Sequence, residues 1–190
     1  HLTYDWEEDP ELYPDIEGLA SELHGMGFKF LTYINPMVAS DTQVFVEGVE
    51  SGFLASDEDG HPIELEFPFG EPPSYYDMTV EGSLDWFWGY LGRAVDKGID
   101  GWMHDYGESL PLEAVMGDGR SGFEVHNEYP LLWAEAGRAF WEMKRPDGDF
   151  AIFNRSGYTG ISAHTHIMWL GDQLVTFDRN DGLGSVPRLY

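Results

Sequence analysis

The sequence predicts an α/β fold: a parallel sheet of the (β/α)8-barrel kind, present only in part, from about the second strand to the sixth. Three observations predict it. Short runs that are apolar on both faces alternate with segments of helical periodicity. Long polar segments follow the C-terminal ends of the strands, where such a barrel builds its working face. Each strand also ends on polar side chains: Asn35, Asp105, Asn154–Arg155 and Asp172–Gln173.

The elements follow in order. Residues 15–26 carry Ile16, Leu19, Ala20 and Leu23 at helical spacing and then meet Gly25 and Gly27. "FKFLTYINP" (28–36) reads as a buried strand. Residues 56–77 form a long loop before the second helix, "GSLDWFWGYLGRAVDKG" (82–98). "IDGWMHDY" (99–106) is the second strand, 107–127 the second long loop, and "EYPLLWAEAGRAFWEM" (128–143) the third helix. "DFAIFNRS" (149–156) and "HIMWLGD" (166–172) complete the set, and "LTYDW" at the start reads as the tail of one more strand. A full eight-stranded barrel takes ~250 residues. Four or five strands in 190 residues are therefore part of one barrel domain spanning 1–190, with an open doubly wound sheet as the alternative.

Composition narrows the partners. Thirty-five acids against 10 bases give a net charge of -25, which repels nucleic acid and anionic membrane surfaces. The surplus of acid fits a solvated acidic surface first, with a protein working in high salt as the alternative. No run approaches the ~20 apolar residues of a membrane helix. The start lacks a signal peptide's basic and apolar regions, so a cytoplasmic setting is expected. With no cysteine, disulfides and thiolate metal sites are excluded. His164 and His166 in "HTH" lack a third metal ligand at suitable spacing, so neither a metal nor another cofactor is expected. His104 alternates to the other face from Asp105 and should pack against a helix.

The strand ends carry the chemistry. Asp105 and Asp172 are two acids at equivalent ends, the pair a glycosidase needs: one ionised to attack the anomeric carbon, one protonated to help the leaving group depart. Trp102, Tyr106 and Trp169 supply aromatic faces for a sugar and desolvation for the acids. Arg155 offers a fixed fork of donors to sugar hydroxyls, or a salt bridge that steadies the acids or Glu108. The bland alternatives are a cap or turn role for Asp105 and a turn role for Asp172.

"GWMHDYGE", "FNRSGYTG" and "MWLGDQ" resemble the signature segments of glycoside hydrolase family 31, the retaining α-glucosidase family, and within it the sulfoquinovosidase branch. "YINPMVAS", "VHNEYPLLWAEA" and "DGLGSV" extend the resemblance over nearly the whole chain. It implies a barrel in which Asp105, at the end of the fourth strand, is the nucleophile and Asp172, at the end of the sixth, the general acid/base. Arg155 would bind the sugar to be cleaved, and Trp102 and Trp169 would wall that subsite. The substrate would be a small carbohydrate. His1 and Tyr4 stand where the branch carries an Arg and a Trp that hold a sulfonate, so a neutral α-glucoside is an alternative substrate. A sugar-binding barrel without turnover is the alternative outside enzymes.

Overall fold

The computed structural model describes residues 4–66, 71–169, 171–178 and 182. In chain order the elements are α1 (Ile16–Gly25), β1 (Leu31–Ile34), β2 (Met37–Ala39), α2 (Gln43–Ser51), β3 (Pro73–Tyr75), α3 (Ser83–Asp96), β4 (Gly101–His104), α4 (Gly122–Val125), α5 (Tyr129–Lys144), β5 (Ala151–Asn154) and β6 (Ile167–Met168), with a 3-10 turn at Ile161–Ala163. The expected strands and helices are present with shorter ends. Tyr4 to Trp6, the described part of the expected extra strand, is not strand.

Four strands make one parallel sheet in the order β1-β4-β5-β6. Leu31 pairs with Gly101 and Gly101 with Ala151; Ile34, His104 and Asn154 form the matching row at the other end. The order follows the chain and does not reverse. It therefore has the progression of a barrel and not the switch point of a doubly wound sheet. Outside this sheet, β2 and β3 pair antiparallel, Met37 against Tyr75.

Local chemistry sets the helix ends. The Asp15 carboxylate caps α1 by accepting from the Gly18 N–H at 2.9 Å. Thr42 caps α2 through Phe45 N–H, and Gly52, at φ +68°, ends it in the left-handed conformation. The sequence reading left α2 within a connection. It also left β2, β3 and α4 unassigned, inside and around the two long loops.

Alternation along β4 places its side chains in two layers. Trp102 and His104 face outward under α5: the Trp102 ring meets Phe140 and Trp141, and His104 meets Trp133 at 4.5 Å. Phe87, Leu91 and Ile152 fill the same core, and Trp141 stacks on Phe150. The approach of α5 is close because Gly137 has no side chain; a Cβ there would stand 2.0 Å from His104 Cε1. Met103 faces the other way, in register with Tyr33 and Phe153. Those three residues line one side of a cavity of about 1070 Å³ beside β1.

Asp100 closes the N-terminal end of β4. Its carboxylate is 2% exposed, accepts from Phe30 N–H at 2.9 Å, and lies 2.7 Å from His24 Nε2 and 3.6 Å from Arg145. Burial raises its pKa, but the Phe30 N–H, His24 and Lys29 outweigh burial and hold it below the usual value. This charged cluster ties the bottom of the sheet to α1 and lies at the opposite end from Asp105.

Candidate active site

Asp105 directly follows β4 at its C-terminal end. Its N–H still bonds to Ile34 O at 2.9 Å, and its carbonyl accepts from Trp133 Nε1 on α5 at 3.2 Å. The main chain is therefore fixed from both sides before the loop begins. Tyr106 then takes φ +58°, an unusual conformation for a residue with a side chain. Two features hold this turn. The Ser156 hydroxyl donates to Tyr106 O at 2.5 Å, and Gly107, at φ +106°, lets the chain pass 3.3 Å from Pro130 Cα at its virtual Cβ.

The Asp105 carboxylate is reached by three donors. Tyr33 O–H donates to Oδ2 at 2.9 Å, Tyr106 N–H to Oδ1 at 2.9 Å, and Arg155 Nη1 lies 3.3 Å from Oδ1. The residue is 7% exposed. Burial pushes its pKa up; the Tyr33 hydrogen bond, the Arg155 charge and the Tyr106 N–H pull it back, Glu108 adds a further rise, and the net direction is upward.

Arg155 follows β5. Its other nitrogen, Nη2, pairs with Glu108 Oε1, and its guanidinium lies 4.1 Å from the centre of the Tyr106 ring and 6.0 Å from that of Trp169. The salt bridge envisaged as one role for Arg155 is thus present. Trp169 also meets Phe153 edge-on at 5.9 Å. Tyr4 reaches the same place from the N-terminal segment: its hydroxyl hydrogen-bonds with Tyr106 and Tyr33. Burial first, and Tyr106 after it, push its pKa up to about 12, against a lowering by the Tyr33 hydrogen bond.

Asp172 lies on an exposed stretch beyond β6. The residue before it, Gly171, packs against Arg155; a Cβ there would be 3.5 Å from Arg155 Cδ. The structure therefore gathers Asp105, Arg155, Trp169 and Tyr4, with the turn leading to Asp172 beside them. His1 lies outside the described residues.

Trp102 is a correction. It is 0% exposed and sits in the outer layer against α5, so it does not wall the site. The alternation that sends His104 outward sends Trp102 with it. His164 and His166 diverge: His164 Nε2 is 3.5 Å from Glu135, and His166 Nδ1 accepts from Ile152 N–H. Tyr33 and Trp133 were missed by the sequence reading. Tyr33 had a signal, since it lies two residues before Asn35 and so on the same face. Trp133 had none, because its contact with Asp105 spans 28 residues of chain.

A buried carboxylate at the C-terminal end of a parallel strand, fixed by an arginine from the next strand and ringed by tyrosines, defines an α/β-barrel domain that works at its strand ends. The chain belongs to the family 31 glycosyl hydrolases: the model of that family's TIM-barrel domain matches residues 1–181. It is 36% identical to a sulfoquinovosidase of Agrobacterium fabrum over 97% of this chain and 28% of that protein. It is 35% identical to a sulfoquinovosidase of Escherichia coli, over 97% of this chain and 27% of that protein. Among solved structures, a family 31 sulfoquinovosidase from E. rectale, in complex with an aza-sugar inhibitor, superposes with a TM-score of 0.90. That match has 35% identity and covers 98% of this chain and 28% of the other. The chain thus spans somewhat over a quarter of the length of these relatives.

Proposed function

We propose that this chain carries the nucleophile, the acid/base and part of the sugar subsite of a retaining α-glycosidase acting on terminal α-glycosides, α-sulfoquinovosides among them. One observation carries the reading: Asp105, at the end of β4, is held by Tyr33 and Arg155 in an aromatic surround. A nucleophile must be ionised and aimed, and these donors do both.

The reaction runs in two steps. Asp105 attacks the anomeric carbon as the bond to the aglycone oxygen breaks, and that oxygen takes the proton of Asp172. Water then gives a proton to Asp172 and its oxygen to the same carbon, and the ester to Asp105 breaks. Two inversions keep the α configuration. Arg155 keeps Asp105 ionised, and Trp169 and Tyr4 border the sugar.

A neutral sugar is the second reading, and one observation favours it. Arg155, the cation that the described residues bring to Asp105, is already paired with Asp105 and Glu108. A sulfonate stays anionic and needs fixed donors, and Tyr4 brings only a hydroxyl. The test compares kcat/KM for an aryl α-sulfoquinovoside and the matching aryl α-glucoside on the intact protein from pH 5 to 8. If His1 holds the sulfonate, the sulfosugar's advantage shrinks as pH rises through ~6.5, the ordinary histidine value. A large advantage that is flat with pH assigns the sulfonate to another group. No advantage at any pH assigns a neutral substrate.

A further inference from the structure

Beside Asp105 lies a hydrogen-bond chain that leads from the backbone of β2 to the carboxylate. Met37 N–H, on β2, donates to Asn35 Oδ1 at 2.9 Å. That bond orients the amide, so Asn35 Nδ2 faces Tyr33, and it donates to the Tyr33 oxygen at 3.1 Å. Tyr33 donates its single proton to Asp105 Oδ2 at 2.9 Å, since an ionised carboxylate can only accept, and its hydroxyl also hydrogen-bonds with Tyr4. Asn35 is 2% exposed, and its main-chain carbonyl accepts from Trp6 Nε1 at 2.8 Å. Trp6 in turn is wedged among Tyr76, Trp86 and Phe87. The chain therefore begins in the core and ends on the carboxylate.

We propose that Tyr33 is the positioning residue of Asp105: the last donor of a relay through Asn35 that keeps Oδ2 aimed and ionised. This rests on the reading of Asp105 as the nucleophile. An Asn35 amide turned the other way would leave Met37 N–H facing an NH2 group and would offer Tyr33 an acceptor, drawing its proton off Asp105. The backbone of β2 thus helps to keep Tyr33 a donor to the carboxylate.

Other groups face Asp105 as well. Arg155 comes from the end of β5, Tyr106 and Glu108 from the loop after β4, and Tyr4 from the N-terminal segment. From α5, Trp133 bonds the Asp105 carbonyl and has no charge. Among the groups that lower the Asp105 pKa, the Tyr33 hydrogen bond ranks ahead of Arg155. A merely structural tyrosine would leave this ionisation alone.

The experiment is the pH profile of kcat/KM for an aryl α-glycoside on the intact protein, with Tyr33→Phe and Asn35→Asp beside the wild type. Tyr33→Phe deletes the donor. Asn35→Asp keeps Tyr33 but replaces the amide donor with an acceptor that competes for its proton. Both variants are expected to melt close to the wild type and to move the acid limb of the profile to higher pH, by about one unit for Tyr33→Phe. An acid limb unmoved in both folded variants overturns the proposal. The 13C-carboxyl titration of Asp105 reads the same coupling without turnover, and its midpoint should rise in Tyr33→Phe. A wild type that hydrolyses no aryl α-glycoside sinks the glycosidase reading, and the titration then decides the role of Tyr33: a raised midpoint upholds the coupling, and an unchanged one overturns it.

Discussion

Arg155 joins two acids of one loop: Nη1 lies 3.3 Å from Asp105 Oδ1, and Nη2 pairs with Glu108. The planar fork spans both carboxylates, and the guanidinium rests on the Tyr106 ring at 4.1 Å. A lysine keeps the charge but has neither the fork nor the flat face. Arg155→Lys is therefore expected to lower kcat/KM by about 10²-fold, through misplacement of Asp105 and not through loss of charge. Steady-state kinetics on an aryl α-glycoside measures this; a loss below about threefold would contradict it.

The helix–strand alternation was legible because α1, α3 and α5 have helical spacing and the strands are apolar on both faces. The end of β4 was legible because an acid follows a buried run. α2 was missed because "QVFVEGVES" is rich in β-branched residues. Its Thr42 cap and Gly52 stop were the available signals. Trp102 was misplaced because its aromatic character was weighed above its position in the strand. Links such as Tyr33–Asp105, 72 residues apart, arise from sheet pairing, which a single sequence does not spell out.

His104 makes stability depend on pH. The ring is fully buried, neither nitrogen has a hydrogen-bond partner among the described residues, and burial pushes its pKa down to about 3. The unfolded chain binds a proton near ~6.5. The folded pKa is depressed, so the stability is fully present above ~6.5 and is lost progressively as pH falls towards 3. Urea unfolding at pH 6.5 and 5 should show the wild type losing about 2 kcal/mol more than His104→Leu. Equal losses would contradict it.

Gly137 is the contact that lets α5 approach β4. In Gly137→Ala the new methyl group overlaps the His104 ring, and α5 must shift. Overpacking of this kind costs about 1–3 kcal/mol. Because Trp133 on α5 holds the Asp105 carbonyl, kcat is expected to fall along with the melting temperature. A variant that is less stable yet fully active would separate α5 from the site.

In the proposed role of acid/base, Asp172 would assist departure of poor leaving groups most. Asp172→Ala should lower kcat/KM by about 10²–10⁴-fold for an alkyl α-glycoside and far less for a dinitrophenyl one. Added azide should then yield the α-glycosyl azide. Equal losses on both substrates, with no azide product, would remove Asp172 from the acid/base role.

As the proposed nucleophile, Asp105 forms a covalent bond to the sugar during turnover. The most direct measurement is trapping with a 5-fluoro α-glycosyl fluoride on the intact protein, followed by peptide mass analysis. Fluoride leaves, Asp105 forms the ester, and the ring fluorine slows its hydrolysis. A glycosyl mass increment is expected on Asp105, absent in Asp105→Asn. Saturable sugar binding with Asp105 unlabelled would contradict it and leave a sugar-binding barrel instead.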